Sequence, residues 1–101
     1  MKQNKYTKSA RGQDCQVRIP GVCNFNPETV VFAHLNGGGM ATKNSPISGA
    51  YCCSACHDVL DGRVRIKLRD YSDVGLMLKL WHYDGMKRTQ DIMIAEGILI
   101  L

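Results

Sequence analysis

Nowhere in this 101-residue chain is there an apolar run of the roughly 18 residues that a membrane-spanning helix needs. The basic opening, Met1 to Lys8, is not followed by the apolar stretch of a secretory signal. The expectation is therefore a cytoplasmic protein with no membrane partner. There is no internal repeat and no low-complexity segment, which leaves one domain with room for one modest core. Nor is charge of one sign in great excess. A net charge of +4 permits a polyanionic partner without demanding one. A chain this short often needs a staple, and a metal ion is one kind.

What the chain does have is cysteine. There are five, and in a reducing compartment cysteines favour metal over disulfides. The odd count agrees, because complete pairing would leave one thiol over. Cys53-Ser54-Ala55-Cys56 is a Cys-x2-Cys pair, which can put two thiolates on one ion at Zn–S distances near ~2.3 Å. A structural zinc needs four ligands. Cys15 and Cys23 supply the second pair, with the turn signal Pro20-Gly21 between them. The expectation is a zinc centre of Cys15, Cys23, Cys53 and Cys56, set against the plainer reading of reduced, buried thiols. Cys52 reads as core or as a bystander. His57 directly follows Cys56, at the edge of the zinc cage, with its imidazole free for other work. Its plainer readings are a replacement ligand on zinc or a helix cap.

The remaining elements follow from local pattern. Residues 1–13, with Lys2, Lys5, Lys8 and Arg11, read as a basic, partly ordered arm ahead of a single domain over 14–101. Cys15 to Ile19 alternates and reads as a short strand. Thr29 to Leu35 is rich in β-branched and aromatic residues and reads as a strand with His34 at its end. Asn36-Gly37-Gly38-Gly39-Met40 is a loop where backbone can approach a ligand. It lacks the Lys-Ser/Thr ending of a phosphate-binding loop. Ser48 to Cys52 reads as the returning strand. Ser54 caps a helix running to about Asp61, with Gly62 ending it. Arg63 to Arg69 alternates basic and apolar residues, which predicts an extended segment with one wet basic face, a helix staying open as the alternative for so short a run. Ser72-Asp73 starts a last helix. Its core face is expected at Leu76, Leu80, Tyr83, Met86, Ile92 and Ala95, with Gly85 as a weak point and Gly97 as the end. Ile98 to Leu101 is an apolar tail needing a partner surface.

In order, these pieces are a cysteine, a second cysteine, a strand ending in His34, a Gly-rich loop, a strand, a Cys-x2-Cys and His57. That order resembles the zinc-stapled ββα-metal finger, the HNH nuclease motif. The chain is more closely similar to a YbcO-like family of small prophage-encoded proteins. The stretches that carry this likeness are Ala10-Arg11-Gly12, Cys15 to Asn24, Pro27-Glu28-Thr29, Ala33-His34, Cys53 to Asp58, Gly85-Met86 and Arg88-Thr89-Gln90. The resemblance implies a small α+β, zinc-stapled ββα-metal core with a C-terminal helical extension. It implies a metal-dependent DNA endonuclease, in phage replication or recombination. His34 would take the proton from water, and His57 would hold a catalytic divalent cation, Mg2+ or Mn2+. DNA is the expected partner, met by Lys43, Arg63, Arg65, Lys67 and Arg69 through phosphate contacts. The plainer readings are a structural role for His34 and a merely solvated basic face. Many HNH enzymes carry an acidic metal ligand where this chain has Ala33. The second protein ligand is thereby left unassigned, with Asp58 and Asp61 as candidates, and the middle Asn of the motif has two candidate matches, Asn44 and Ser48, neither aligning firmly. Two rivals remain open: a non-catalytic zinc module that binds DNA, and a zinc-stapled protein-interaction domain.

Overall fold

The computed structural model describes residues 5–34, 47–66 and 73–100. They form a small α+β domain: helix α1 (Lys5–Ser9), strands β1 (Val31–His34) and β2 (Gly49–Cys52), and helices α2 (Ser54–Leu60) and α3 (Val74–Ala95). The Gly-rich loop, Lys43, Asn44, Lys67, Arg69 and Ser72 lie outside the described residues. Among the described residues no helix is long and apolar enough to cross a membrane.

The two strands pair antiparallel, with Phe32 opposite Tyr51 and His34 opposite Gly49. A bare two-stranded ribbon is marginal in water. Here β2 is buried along its whole length, because α3 lies across it. The outward backbone groups of Tyr51 find partners elsewhere. Its N–H donates to Thr89 Oγ1 at 2.9 Å, and its carbonyl accepts from Gln16 N–H at 2.7 Å. The edge of the ribbon is thus closed by one side chain and one loop amide. Thr89 is fully buried and nearly isosteric with Val. Thr89→Val should strand the Tyr51 N–H, lowering stability by about 1–3 kcal/mol. Urea denaturation should show this as an earlier midpoint with an unchanged slope.

Helix α3 begins where its cap signal stands: Asp73 accepts from Leu76 N–H at 3.0 Å. It ends in a Schellman motif at Gly97 (φ +76), with Ile98 N–H on Met93 O and Gly97 N–H on Ile94 O. The face it buries differs from the expected one. Leu76, Leu80, Tyr83 and Ala95 are exposed, while Gly85, Thr89 and Met93 are buried, and Leu78, Trp81, Met86 and Ile92 pack partly against the core. Gly85 is no break. A Cβ there would stand 2.9 Å from Val17 Cγ2 and 3.1 Å from Gln16 O. The helix therefore crosses the Gln16–Val17 backbone at a position where it has no side chain. Arg88 Nε donates to Gln16 O at 3.1 Å and fixes the same crossing.

Two further expectations need correction. Cys15 to Ile19 is not a strand: Arg18 has φ 53, and amides of this segment turn toward sulfur. Arg63 to Ile66, the described part of the expected extended segment, is neither helix nor strand, and Val64 on its supposed inner face is 47 % exposed, so the basic side is not its one wet face. The described part of the N-terminal segment packs on the domain. Ala10 is buried, and the Ser9 and Tyr51 hydroxyls are 2.8 Å apart. At the other end Ile98 and Leu99 pack against the core, while Ile100 is exposed.

Candidate metal centre and adjoining cleft

The turn at Pro20-Gly21 forms as its residues suggest, with Gly21 at φ +73 and the amides of Val22 and Cys23 both on Ile19 O at 3.0 Å. It swings Cys23 back beside Cys15. Cys53 and Cys56 arrive on the first turn of α2. The cap of this helix is Cys53 and not Ser54: the Cys53 sulfur accepts from Cys56 N–H at 3.4 Å. Gly62 (φ +81) closes the other end in a Schellman motif, with Arg63 N–H on Asp58 O and Gly62 N–H on Val59 O.

The sulfurs of Cys15, Cys23, Cys53 and Cys56 all lie within 4.8 Å of one another. The sulfurs of Cys23 and Cys53 are 3.8 Å apart. Tetrahedral Zn–S bonds of ~2.3 Å set sulfurs about 3.8 Å apart, so the cluster can hold a metal ion and is compatible with structural zinc. Backbone amides support thiolate charge: Arg18 N–H points at Cys15 at 3.5 Å, and Ile19 N–H at Cys56 at 3.4 Å. Crowding also splits the acidities. Thiol hydrogen bonds from Cys52 and then Cys56 hold Cys15 far below the ordinary range, while burial pushes Cys23 up to about 11. Cys52 is fully buried core, outside the group of four, with its thiol donating to Cys53 O at 3.5 Å.

Beside the cluster lies an open cleft of about 250 Å³. The chain has three histidines, and all of them line it. His34 is delivered by the last residue of β1. Its ring meets the Phe32 ring edge-on, with centroids 5.2 Å apart. The Phe32 ring in turn sits where a Cβ on Gly49 would be, so the glycine makes room for the ring that supports His34. His57 comes from α2, its Nε2 3.3 Å from Asp61 Oδ2. Asp61, one turn on, also lines the cleft. Asp61 additionally accepts from Arg63 at 3.1 Å, and Asp58 accepts from Arg63 at 2.9 Å. Arg63 is thus engaged with two carboxylates, whereas Arg65 is exposed.

The third wall is α3, which contributes His82 and Lys79. Reading the sequence missed both. His82 Nε2 lies 2.9 Å from Ala33 O, which can only accept, so Nε2 carries the proton. Burial lowers the pKa of His82, the Ala33 bond opposes that, and His57 and His34 add to the lowering. His82 is thereby held as the neutral imidazole. Its bond ties α3 to the residue just before His34. One signal was available: His82 is the only histidine of the chain outside the finger-like segment.

Comparison with known proteins adds the family. The family model described as "Putative nuclease YbcO" matches residues 4–98. The "Putative nuclease YbcO" of Escherichia coli (strain K12) is 45 % identical over 95 residues, covering 91 % of this chain and 93 % of that protein. The "Putative nuclease ybcO" of Enterobacteria phage 82 is similar to the same extent, 45 % over 95 residues. Among solved structures, a "putative bacteriophage protein from Escherichia coli str. K-12 substr. MG1655" superposes with a TM-score of 0.74 at 42 % identity, over 91 % of this chain and 99 % of the other.

Proposed function

This chain belongs to the YbcO family, and from that premise we propose that it is a metal-dependent DNA endonuclease of HNH type, acting in phage or prophage replication or recombination. Residues 14–101 then form one HNH-like domain behind a basic N-terminal segment, with β1, β2 and α2 as its ββα finger. The observation that carries the reading is the convergence of His34, His57, Asp61 and His82 on one cleft beside four clustered cysteines.

In this reading zinc on Cys15, Cys23, Cys53 and Cys56 is structural and fixes the start of α2, hence the direction of His57. His57 and Asp61 hold the catalytic divalent cation, Mg2+ or Mn2+. When bound, that cation offsets charge on the phosphate and stabilises the leaving oxygen. Both carboxylates are paired with Arg63, and Asp61 fits better than Asp58 because it is the one that lines the cleft. His34 takes the proton from the attacking water, its ring steadied by Phe32. Neutral His82 keeps the end of β1 in place through the Ala33 carbonyl. Lys79 supplies a positive charge to the phosphate from the α3 side. Lys43, Arg63, Arg65, Lys67 and Arg69 are the proposed backbone contacts.

One observation favours a second reading, a non-catalytic zinc module that binds DNA: Ala33 brings no carboxylate to the slot before His34. A plasmid-nicking assay separates the two. The nuclease reading expects nicked and linear products with Mg2+ or Mn2+ and none with EDTA. Intact plasmid in every arm, with DNA still retarded on a gel, leaves only the binding module.

A further inference from the structure

We propose that the groove between α1 and β1 carries the backbone of one DNA strand toward the His34 cleft. The proposal rests on the nucleic-acid reading above for what occupies the groove, and on its own observations for where. The groove has a volume of about 430 Å³ and is lined by Thr7, Lys8, Arg11, Glu28, Val31 and Phe32, among others.

Two of those residues are exposed cations without an ion pair among the described residues. That sets Arg11 apart from three of the other four described arginines, Arg65 being exposed like it. Arg18 bonds Cys15 O, Arg88 bonds Gln16 O, and Arg63 holds Asp58 and Asp61. Arg18 and Arg88 are tied to backbone carbonyls and Arg63 is paired locally with two exposed carboxylates, while the Arg11 guanidinium and the Lys8 ammonium have no ion pair among the described residues. A polyanion is the ligand that two such charges in a groove suit.

The strand itself gives the direction. Val31 and Phe32 line the groove, and the next two residues, Ala33 and His34, line the cleft. From Val31 to His34 is about 10 Å at ~3.3 Å per residue. β1 has β2 on one side only, and α1 packs against it, so the groove and the cleft follow one another along the same strand. Glu28 is the acid in the groove, and it repels the same phosphates.

The test is fluorescence anisotropy of the full chain on a labelled duplex of arbitrary sequence, titrated across salt concentrations in EDTA. Each phosphate contact contributes about 0.9 to the slope of log K against log salt. Arg11→Ala should reduce the slope by about 0.9, and Lys8→Ala/Arg11→Ala by about 1.8. Glu28→Gln should tighten binding. Lys87→Ala, an exposed cation on α3 away from the groove, should leave the slope as it is. An unchanged slope in the double variant overturns the proposal. So does an equal fall for Lys87→Ala, or a wild-type chain that does not bind. If the double variant loses its slope but no plasmid is ever nicked, the groove stands and the nuclease reading falls. If nicking is normal and the slope is unmoved, the reverse holds.

Discussion

Cys53→Ser should leave the purified chain unfolded at room temperature, with its zinc gone. The cluster ties together two stretches that local structure alone does not join: the irregular Cys15–Cys23 segment and the start of α2. Cys53 has two tasks there. Its sulfur is one of the four candidate ligands, and it also caps α2 by accepting from Cys56 N–H. Apparent binding energies at structural zinc sites run to roughly 10–16 kcal/mol, and most of that is folding energy. A whole domain is stable by only about 5–15 kcal/mol. Loss of one ligand can therefore remove everything the fold has in reserve. Far-ultraviolet circular dichroism and metal analysis read the result, with about one zinc per wild-type chain expected from the four-ligand rule. Cys52→Ala is the control. Cys52 is as deeply buried but is not among the four, so this variant should keep both zinc and fold. A folded, metal-free Cys53→Ser protein would remove zinc from the account.

Cysteine spacing and turn chemistry made the four-cysteine cluster legible in the sequence, because both are local. The Pro20-Gly21 turn, the Gly62 and Gly97 helix ends and the Asp73 cap all follow from residue types whose backbone preferences do not depend on the rest of the chain. The strand ending at His34 was legible for a similar reason, being a β-branched and aromatic run. What failed needed knowledge of the partner. Cys15 to Ile19 alternates like a strand, yet its amides are drawn to sulfur by the cluster, and Arg18 takes a left-handed conformation. The buried face of α3 was misread because its centre is a glycine and a threonine, which count for little in a search for apolar periodicity. Gly85 is chosen for closeness to Val17, and Thr89 for the Tyr51 amide. Misplacing that face also hid Lys79 and His82, which α3 turns into the cleft.

His34→Ala should lower the rate of strand cleavage by about 10²–10⁴ while leaving fold and zinc intact. The side chain is exposed, so its removal empties no core. Its ring contact is the edge of Phe32, which stays packed against Gly49 without it. His57→Ala should fail differently. Its ring is held by Asp61 and faces the same cleft, so its loss weakens the binding of the divalent cation. Raising Mn2+ should then recover part of the rate, whereas His34→Ala should not respond, because a missing base is not replaced by more metal. Substrate affinity in EDTA should be close to wild type in both variants. The distinction rests on geometry. His34 comes from a strand end and His57 from a helix tied to the cysteine cluster, so each can be removed without moving the other. Cleavage that persists in both variants would end the nuclease assignment for this cleft. An identical metal response in both would mean that the two imidazoles share one role, and that base and metal ligand have not been told apart.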